Sequence, residues 1–314
     1  MKIDIISGFL GAGKTTLIKK LLAEELYKEK IAIIENEYGE VAIDGSLLSG
    51  EKVEVTEISS GCICCNIKGD FKESIAQIVK DYKPTRIIVE PTGVAKLSEI
   101  IISVKEANTV NAKINMIATV VDVNNFWAYL RNFGEFYKNQ IVSAGVILLS
   151  RAADVTELEL FKVAEEIRIL NKTANIITTP WDKISAKRII EVGEMPREKL
   201  VTEFKKATLK GKATVRIVHN ANDVFDNWGV ETSKLFDEAT LKSLLNNLSK
   251  EGQFGKILRA KGIVPTKTGK WVQFDYVPGE VEIKRFSADY TGRVCVIGSN
   301  LNKKEIENLF LKNK

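Results

Sequence analysis

Gly8-Phe9-Leu10-Gly11-Ala12-Gly13-Lys14-Thr15 is the stretch that decides how this chain folds. It follows the apolar run Ile3-Asp4-Ile5-Ile6 and opens into Thr16-Leu17-Ile18-Lys19-Lys20-Leu21-Leu22, so it reads as strand, glycine loop, helix. That is the pattern G-x-x-x-x-G-K-[ST] in the context it requires. Glycines let such a loop curl until its backbone N–H groups face an anion, and the helix N-terminus behind it adds partial positive charge. Gly8, Gly11, Ala12, Gly13, Lys14, Thr15 and Thr16 are therefore the expected cradle of a nucleotide triphosphate, with Lys14 on the outer phosphates and the Thr15 hydroxyl on Mg2+. A glycine loop can also be a plain tight turn, but a plain turn has no need of Lys-Thr in register.

Working outward, the helix after the loop is expected to run from 14 to about 29, with Leu17, Leu21, Leu22 and Leu26 on one stripe. Ile31-Ala32-Ile33-Ile34 is a buried strand that ends in the polar run Glu35-Asn36-Glu37-Tyr38-Gly39-Glu40, with Asp44 shortly after. Val53–Ile58 alternates as a half-exposed strand, residues 70–82 read as a helix, and Arg86-Ile87-Ile88-Val89 is a buried strand ending on Glu90-Pro91-Thr92-Gly93. In nucleotide hydrolases of this loop type, an acid at the end of such a strand supplies the second handle on Mg2+, which assigns that role to Glu90. Glu37, Glu40 and Asp44 follow the end of a buried strand, where open α/β sheets bind their ligands, and are candidates for orienting the attacking water. Further strands at about 114–123, 146–149 and 176–179 alternate with helical stretches, as in a mostly parallel sheet covered on both faces. From about 193 the chain turns polar and basic, and after it strands come consecutively, near 214–219, 256–264, 271–277, 281–286 and 293–298, with helices at 237–249 and 303–311. The fold class is thus α/β, a doubly wound, mostly parallel P-loop NTPase domain over 1–195, a linker over 196–212 and a small α+β domain with an antiparallel sheet over 213–314.

Gly61-Cys62-Ile63-Cys64-Cys65 gathers three of the four cysteines within four residues. A strand would point Cys62 and Cys64 one way and Cys65 the other, so convergence on one ion requires a turn, which Gly61 permits. Thiolates suit Zn2+ and other transition ions such as cobalt, nickel or iron, with a fourth ligand from elsewhere, and Glu37 or Glu40 can supply it. The bland reading is buried cysteines, as for Cys295 in Val294-Cys295-Val296-Ile297. The lone His219 is expected to be an ordinary polar residue. The net charge is +5; residues 1–210 hold 29 basic and 29 acidic side chains and residues 211–314 hold 17 and 12, so the excess lies in the last third. No basic run is interleaved with aromatics, which argues against nucleic acid as a partner. No apolar run is long enough to span a bilayer and the first strand begins at once, so the expectation is a cytoplasmic protein with no membrane partner.

The loop at 8–15, Glu37-Tyr38-Gly39-Glu40, the Cys62–Cys65 cluster and Glu90-Pro91-Thr92-Gly93, in this order and spacing, resemble the CobW-type family of metal-handling GTPases, relatives of the nickel-delivery GTPases that mature urease and hydrogenase. Gly255-Lys256-Ile257-Leu258-Arg259-Ala260-Lys261-Gly262 resembles the family's carboxy-terminal signature, and Val296-Ile297-Gly298 its last strand, so the likeness covers nearly the whole chain. The resemblance implies GTP and Mg2+ at the loop, a metal at the three cysteines, and a metal affinity that depends on nucleotide state, so that hydrolysis releases the ion to a client metalloenzyme or metal-accepting protein. A nucleotide-dependent homodimer is compatible with it. The family reads guanine through Asn-Lys-x-Asp after the strand that ends here at Leu149, whereas this chain has Ser150-Arg151-Ala152-Ala153-Asp154. Asp154 can still accept from guanine N–H groups and the Arg151 stem can cover the base, but the departure leaves GTP against ATP open.

These readings converge on a nucleotide hydrolase acting as a metallochaperone or metal insertase. Lys14 and Thr15 serve the phosphates, Glu37, Glu40 or Asp44 the water or the metal, and Cys62, Cys64 and Cys65 the cargo. Two alternatives compete with it: a nucleotide-gated thiol or redox sensor that carries no metal, and an ATP-using activase of a metal or corrinoid enzyme.

Overall fold

The computed structural model of the chain describes residues 1–35, 53–57, 70–107, 112–196, 226–248 and 252–312. The chain divides into two compact units, Met1–Arg197 and Glu198–Lys314.

The first unit is built on a seven-stranded sheet in the order β3-β2-β4-β1-β5-β6-β7. Its strands are β1 (Lys2–Gly8), β2 (Ile31–Glu35), β3 (Val53–Glu57), β4 (Arg86–Glu90), β5 (Lys113–Asp122), β6 (Val146–Ser150) and β7 (Asn175–Ile177). Every pairing is parallel. This agrees with the sequence, since the apolar runs of β1, β4 and β6 are buried along their length, as they must be with helices on both faces. The helices are α1 (Lys14–Glu24), α2 (Asp70–Tyr82), α3 (Leu97–Glu106), α4 (Phe126–Asn132), α5 (Gly134–Val142), α6 (Glu157–Leu170) and α7 (Ala186–Glu194). Helix α1 buries Leu17, Ile18, Leu21 and Leu22. It stops at Glu24 and not near 29, because Glu25 leaves helical geometry (φ −135°) and Leu26–Lys28 form only a short 3-10 turn. Helix α6 opens on a full capping box, Thr156 with Glu159.

Opposite the ligand edge, at the start of β4, Arg86 is 2% exposed and pairs with Asp4 of β1, which is 1% exposed. Its other nitrogens bond both oxygens of Glu29 at 2.9 Å. Asn115 of β5 donates to Asp4 at 2.8 Å and to Glu194 of α7 at 3.0 Å. Burial pushes the Asp4 carboxyl upward while Arg86 and Asn115 pull it down, and the upward effect prevails.

The second unit holds an antiparallel sheet in the order β11-β10-β9-β12-β8. Its strands are β8 (Asp226–Thr232), β9 (Lys256–Pro265), β10 (Trp271–Val277), β11 (Glu280–Phe286) and β12 (Gly292–Ser299). Helix α8 (Glu238–Asn247) and the closing α9 (Lys303–Glu307), continued by a π-type turn over Asn308–Lys312, supply Leu241, Leu245, Ile306 and Phe310 to its core. Strand β8 escapes the sequence reading, because Asp226-Asn227 and Gly229 look like turn residues although Trp228 and Val230 alternate with them. The strand expected at 214–219 and His219 lie outside the described residues, as does the expected linker apart from Pro196. Cys295 is buried in β12. Within the family-like stretch, Arg259 bonds both oxygens of Asp275 at 3.0 and 2.7 Å, and Lys261 stands 3.2 Å from the same carboxylate.

Two outcomes follow from these ion pairs. Arg86→Ala leaves Asp4 buried with the Asn115 bond but without its cationic partner and is expected to lower unfolding stability by about 3–5 kcal/mol in urea titration of the full chain. A loss below about 1 kcal/mol would show that Asp4 does not depend on the pair. Burial opposes ionisation of Asp275, but Arg259 and Lys261 outweigh it and hold the carboxyl below its ordinary range. Its contribution is therefore present above the unfolded carboxylate pKa, about 4, and is lost as pH falls through the lower folded value. Asp275→Asn should cost about 0.5–1 kcal/mol at neutral pH, given the partial exposure of the pair. The two proteins should then converge in stability between about pH 4 and pH 2, and an unchanged gap there would rule the ionised pair out as the cause.

Candidate functional site

Strand β1 has β4 on one side and β5 on the other, so its carboxyl end lies where connections diverge, the position at which open parallel sheets form a crevice. The loop after β1 occupies that position. Ala12 N–H bonds the Phe9 carbonyl at 3.1 Å and closes the curl. Phe9 is buried and anchors the loop into the core, its ring 4.6 Å from that of Tyr129 and 5.8 Å from that of Tyr137. Gly13 is the N-cap of α1 with φ +103°, a left-handed conformation, and no side chain caps the helix there. No acidic residue stands in the first turn of α1 either, so the helix N-terminus presents its partial positive charge to an anion.

Three side chains converge beside it. Lys14 is 6% exposed, and its Nζ lies 3.9 Å from Glu90 Oε1. Thr15 Oγ1 donates to Glu90 at 3.1 Å. With its proton directed at Glu90, the Thr15 oxygen keeps lone pairs for a cation. The hydroxyl of Thr92, two residues beyond Glu90, is buried with no hydrogen-bond partner, as is that of Ser7 at the end of β1. Orphan hydroxyls at the ends of the two neighbouring strands that lead to an uncapped helix N-terminus fit an anion better than an empty turn. Thr16 is exposed at the start of α1.

The loop after β4 touches the phosphate loop directly. A Cβ on Gly93 would lie 2.6 Å from the Leu10 nitrogen and 2.9 Å from its Cα, so only glycine allows this approach. The buried Gln140 of α5 donates to the carbonyls of Gly93 and Ala95, each at 3.0 Å, and holds the loop from behind.

On the β6 side, Arg151 follows the strand with φ +55°, left-handed for a residue that has a Cβ. Its guanidinium pairs with Asp122, buried at the end of β5, and donates to the Gly11 carbonyl at 3.3 Å. Asp122 also accepts from Asn124 N–H at 3.0 Å and Asn125 Nδ2 at 2.7 Å. The Arg151 head is therefore fastened to the phosphate loop, while the side chain as a whole stays half-exposed. Asp154 is exposed, with no side-chain hydrogen bond among the described residues. Trp181, four residues beyond β7, escapes the sequence reading, as do Asp122 and Gln140. A Cβ on Gly13 would meet the Trp181 ring at 3.5 Å and Ser150 Cβ at 3.8 Å, so the indole stands where the phosphate loop and the end of β6 meet. The usable signal was position, an aromatic just after a strand end in Thr178-Thr179-Pro180-Trp181.

Glu37, Glu40, Asp44, Cys62, Cys64 and Cys65 lie outside the described residues. Among the described residues no group of three or more His, Cys, Asp or Glu side chains is placed to hold a metal ion. The strands leading to these segments do end at the site: Glu35 of β2 pairs in register with Glu90, and Glu57 of β3 with Glu35.

A family model described as CobW/HypB/UreG, nucleotide-binding domain, matches residues 2–178, more than half of the chain. A second, described as cobalamin synthesis protein cobW C-terminal domain, matches residues 225–313. The chain is 32% identical over 157 residues to the zinc chaperone YeiR of Escherichia coli (strain K12), covering 49% of this chain and 48% of that protein. It thus spans about half the length of YeiR. With the zinc chaperone YjiA of the same organism it shares 25% identity over 270 residues, 83% of this chain and 81% of YjiA. The crystal structure of Zn(II)-bound YjiA GTPase from E. coli superposes with a TM-score of 0.46 at 20% identity, covering 100% of this chain and 99% of that one.

The contact at Gly93 yields a direct test. Gly93→Ala should displace the phosphate loop at Leu10 and reduce nucleotide turnover by about a hundredfold, as a misplacement of order 1 Å does. Turnover within about threefold of wild type would mean that the two loops move independently.

Proposed function

This chain belongs to the CobW/HypB/UreG family of P-loop NTPases, and we propose that it is a GTP-hydrolysing metallochaperone that couples its nucleotide state to transition-metal binding. The observation that carries the reading is the convergence of Lys14, Thr15 and Glu90, with Thr15 to Glu90 at 3.1 Å, at the strand edge shared with β2 and β3. Lys14 and the first-turn N–H groups of α1 hold the outer phosphates. Thr15 and Glu90 hold Mg2+, which when bound neutralises charge on the β- and γ-phosphates. Glu37 stands two residues past the end of β2, and with Glu40 or Asp44 it orients the attacking water or senses the metal. Cys62, Cys64 and Cys65 begin five residues past the end of β3 and take Zn2+ or another transition ion as cargo, with Glu37 as a candidate fourth ligand. One segment leaves β2, which pairs with β4 at Glu90, and the other leaves β3, the next strand out, so loss of the γ-phosphate can rearrange both.

Asp154 favours guanine. An exposed carboxylate accepts from the two adjacent N–H donors on a guanine edge, whereas adenine offers one donor beside a ring acceptor that repels it. The cargo passes to a client metalloenzyme or metal-accepting protein, and a nucleotide-dependent homodimer fits the same scheme. Residues 1–195 carry nucleotide and metal, 196–212 link, and 213–314 form the second domain. No helix among the described residues is long and apolar enough to cross a membrane, and we place the protein in the cytoplasm.

The test is a Zn2+ titration of the full chain with and without a non-hydrolysable GTP analogue. Zinc affinity should differ at least about tenfold between the two states, equivalent to 1.4 kcal/mol, and stoichiometric binding should be lost in Cys64→Ala plus Cys65→Ala. Equal affinities in both states would refute the coupling, and binding that survives the double substitution would refute the assigned cargo site.

A further inference from the structure

We propose that Trp181 forms one wall of the base site, its indole packing against the face of the bound purine. The inference rests on the nucleotide-binding reading above and extends it to a residue outside the phosphate loop. Direction comes from Glu90. Together with Thr15 it marks the outer phosphates, and it lies on the β4 side of β1. A triphosphate with its outer end on that side carries ribose and base across the helix N-terminus to the opposite side, over the ends of β5, β6 and β7.

Trp181 is an aromatic ring placed there, after the end of β7. The benzo edge of its indole, Cη2 and Cζ3, lies 3.5 and 3.7 Å from the point a Gly13 Cβ would occupy, and Ser150 Cβ lies 3.8 Å from that same point. The ring therefore rests on the phosphate loop at the mouth of β6, and it remains partly exposed. Its N–H is closed off from solvent without an acceptor. Van der Waals contact and not a hydrogen bond sets the ring plane, so the plane can adjust to a flat ligand. Across the same strand end, Arg151 is anchored through Asp122 and the Gly11 carbonyl, and Asp154 is free to accept from the base edge. In this division Trp181 supplies affinity, because every base has a π-face, and Asp154 supplies choice among bases.

Binding of Mg·GDP and of inorganic tripolyphosphate is to be compared in the full-length wild type, Trp181→Ala and Trp181→Phe. Trp181→Ala should weaken GDP by roughly tenfold to a hundredfold while leaving tripolyphosphate within about twofold of wild type, and Trp181→Phe should retain GDP within about threefold. GDP should also quench tryptophan fluorescence in the wild type and not in Trp181→Phe, although Trp127, Trp228 and Trp271 remain. Equal GDP affinity in wild type and Trp181→Ala overturns the inference alone. Parallel loss of GDP and tripolyphosphate overturns it in favour of a structural role. A wild type that binds tripolyphosphate but no nucleotide, or neither, overturns the nucleotide reading and this inference with it.

Discussion

The register between β1 and β4 is the constraint on which the rest depends. β4 is five residues long and carries a buried charge at each end, Arg86 at its start and Glu90 at its finish. Arg86 is fixed by Asp4 in the neighbouring strand, and Glu90 meets Thr15 and Lys14 just beyond that strand's other end. A slip of one residue would turn every side chain of β4 to the opposite face. It would strand Asp4 without its partner at one edge and remove the acid from the phosphate loop at the other. The pair at the foot of the sheet is thus a register lock for the site at its top, a reason for burial beyond stability, since a buried ion pair contributes little net stability compared with apolar packing.

Much of this was legible because it is local. The glycine spacing, Lys14 and Thr15 sit in one short stretch, and their chemistry depends on neighbours in the chain. Glu90 was legible because a buried apolar run that ends in an acid needs no topology to be noticed. Asp122, Gln140 and Trp181 were not. Each acts on a residue at least 29 positions away, Asp122 on Arg151, Gln140 on Gly93 and Trp181 on Gly13, and those meetings exist only once strand order is known. β8 was missed for the opposite reason: its polar and glycine residues give no local strand signal, while pairing with β12 along its length decides the matter.

Gln140 shows how the helix layer serves the site. Its amide holds Gly93 and Ala95, while Asn139 beside it accepts from Ser98 N–H at 3.1 Å and donates to Ser98 Oγ at 2.9 Å. Lys96 pairs with Glu135 one turn earlier. The exposed Lys96 pair adds little, but the buried amide bonds cannot be given up without leaving polar groups unsatisfied. The loop after Glu90 is therefore carried on α5 as a unit, which is why its glycine can be held against the backbone of Leu10.

The two sides of the proposed nucleotide site are built from different materials. On the proposed phosphate side stand a helix terminus and the Lys14–Thr15–Glu90 set, an arrangement fixed by loop geometry and braced by Phe9, Gln140 and Arg151. Beyond β6 and β7 the base wall proposed above is made of side chains, Arg151, Asp154 and Trp181, borne on turns that tolerate substitution. Arg151 even strengthens the joint between the halves, since one guanidinium spans Asp122 and the Gly11 carbonyl, where a lysine would offer a single point of charge. Selectivity for the base can drift in such a protein while the hydrolytic centre stays fixed, because the two are joined through a few contacts at Gly11 and Gly13 and not through a shared set of residues.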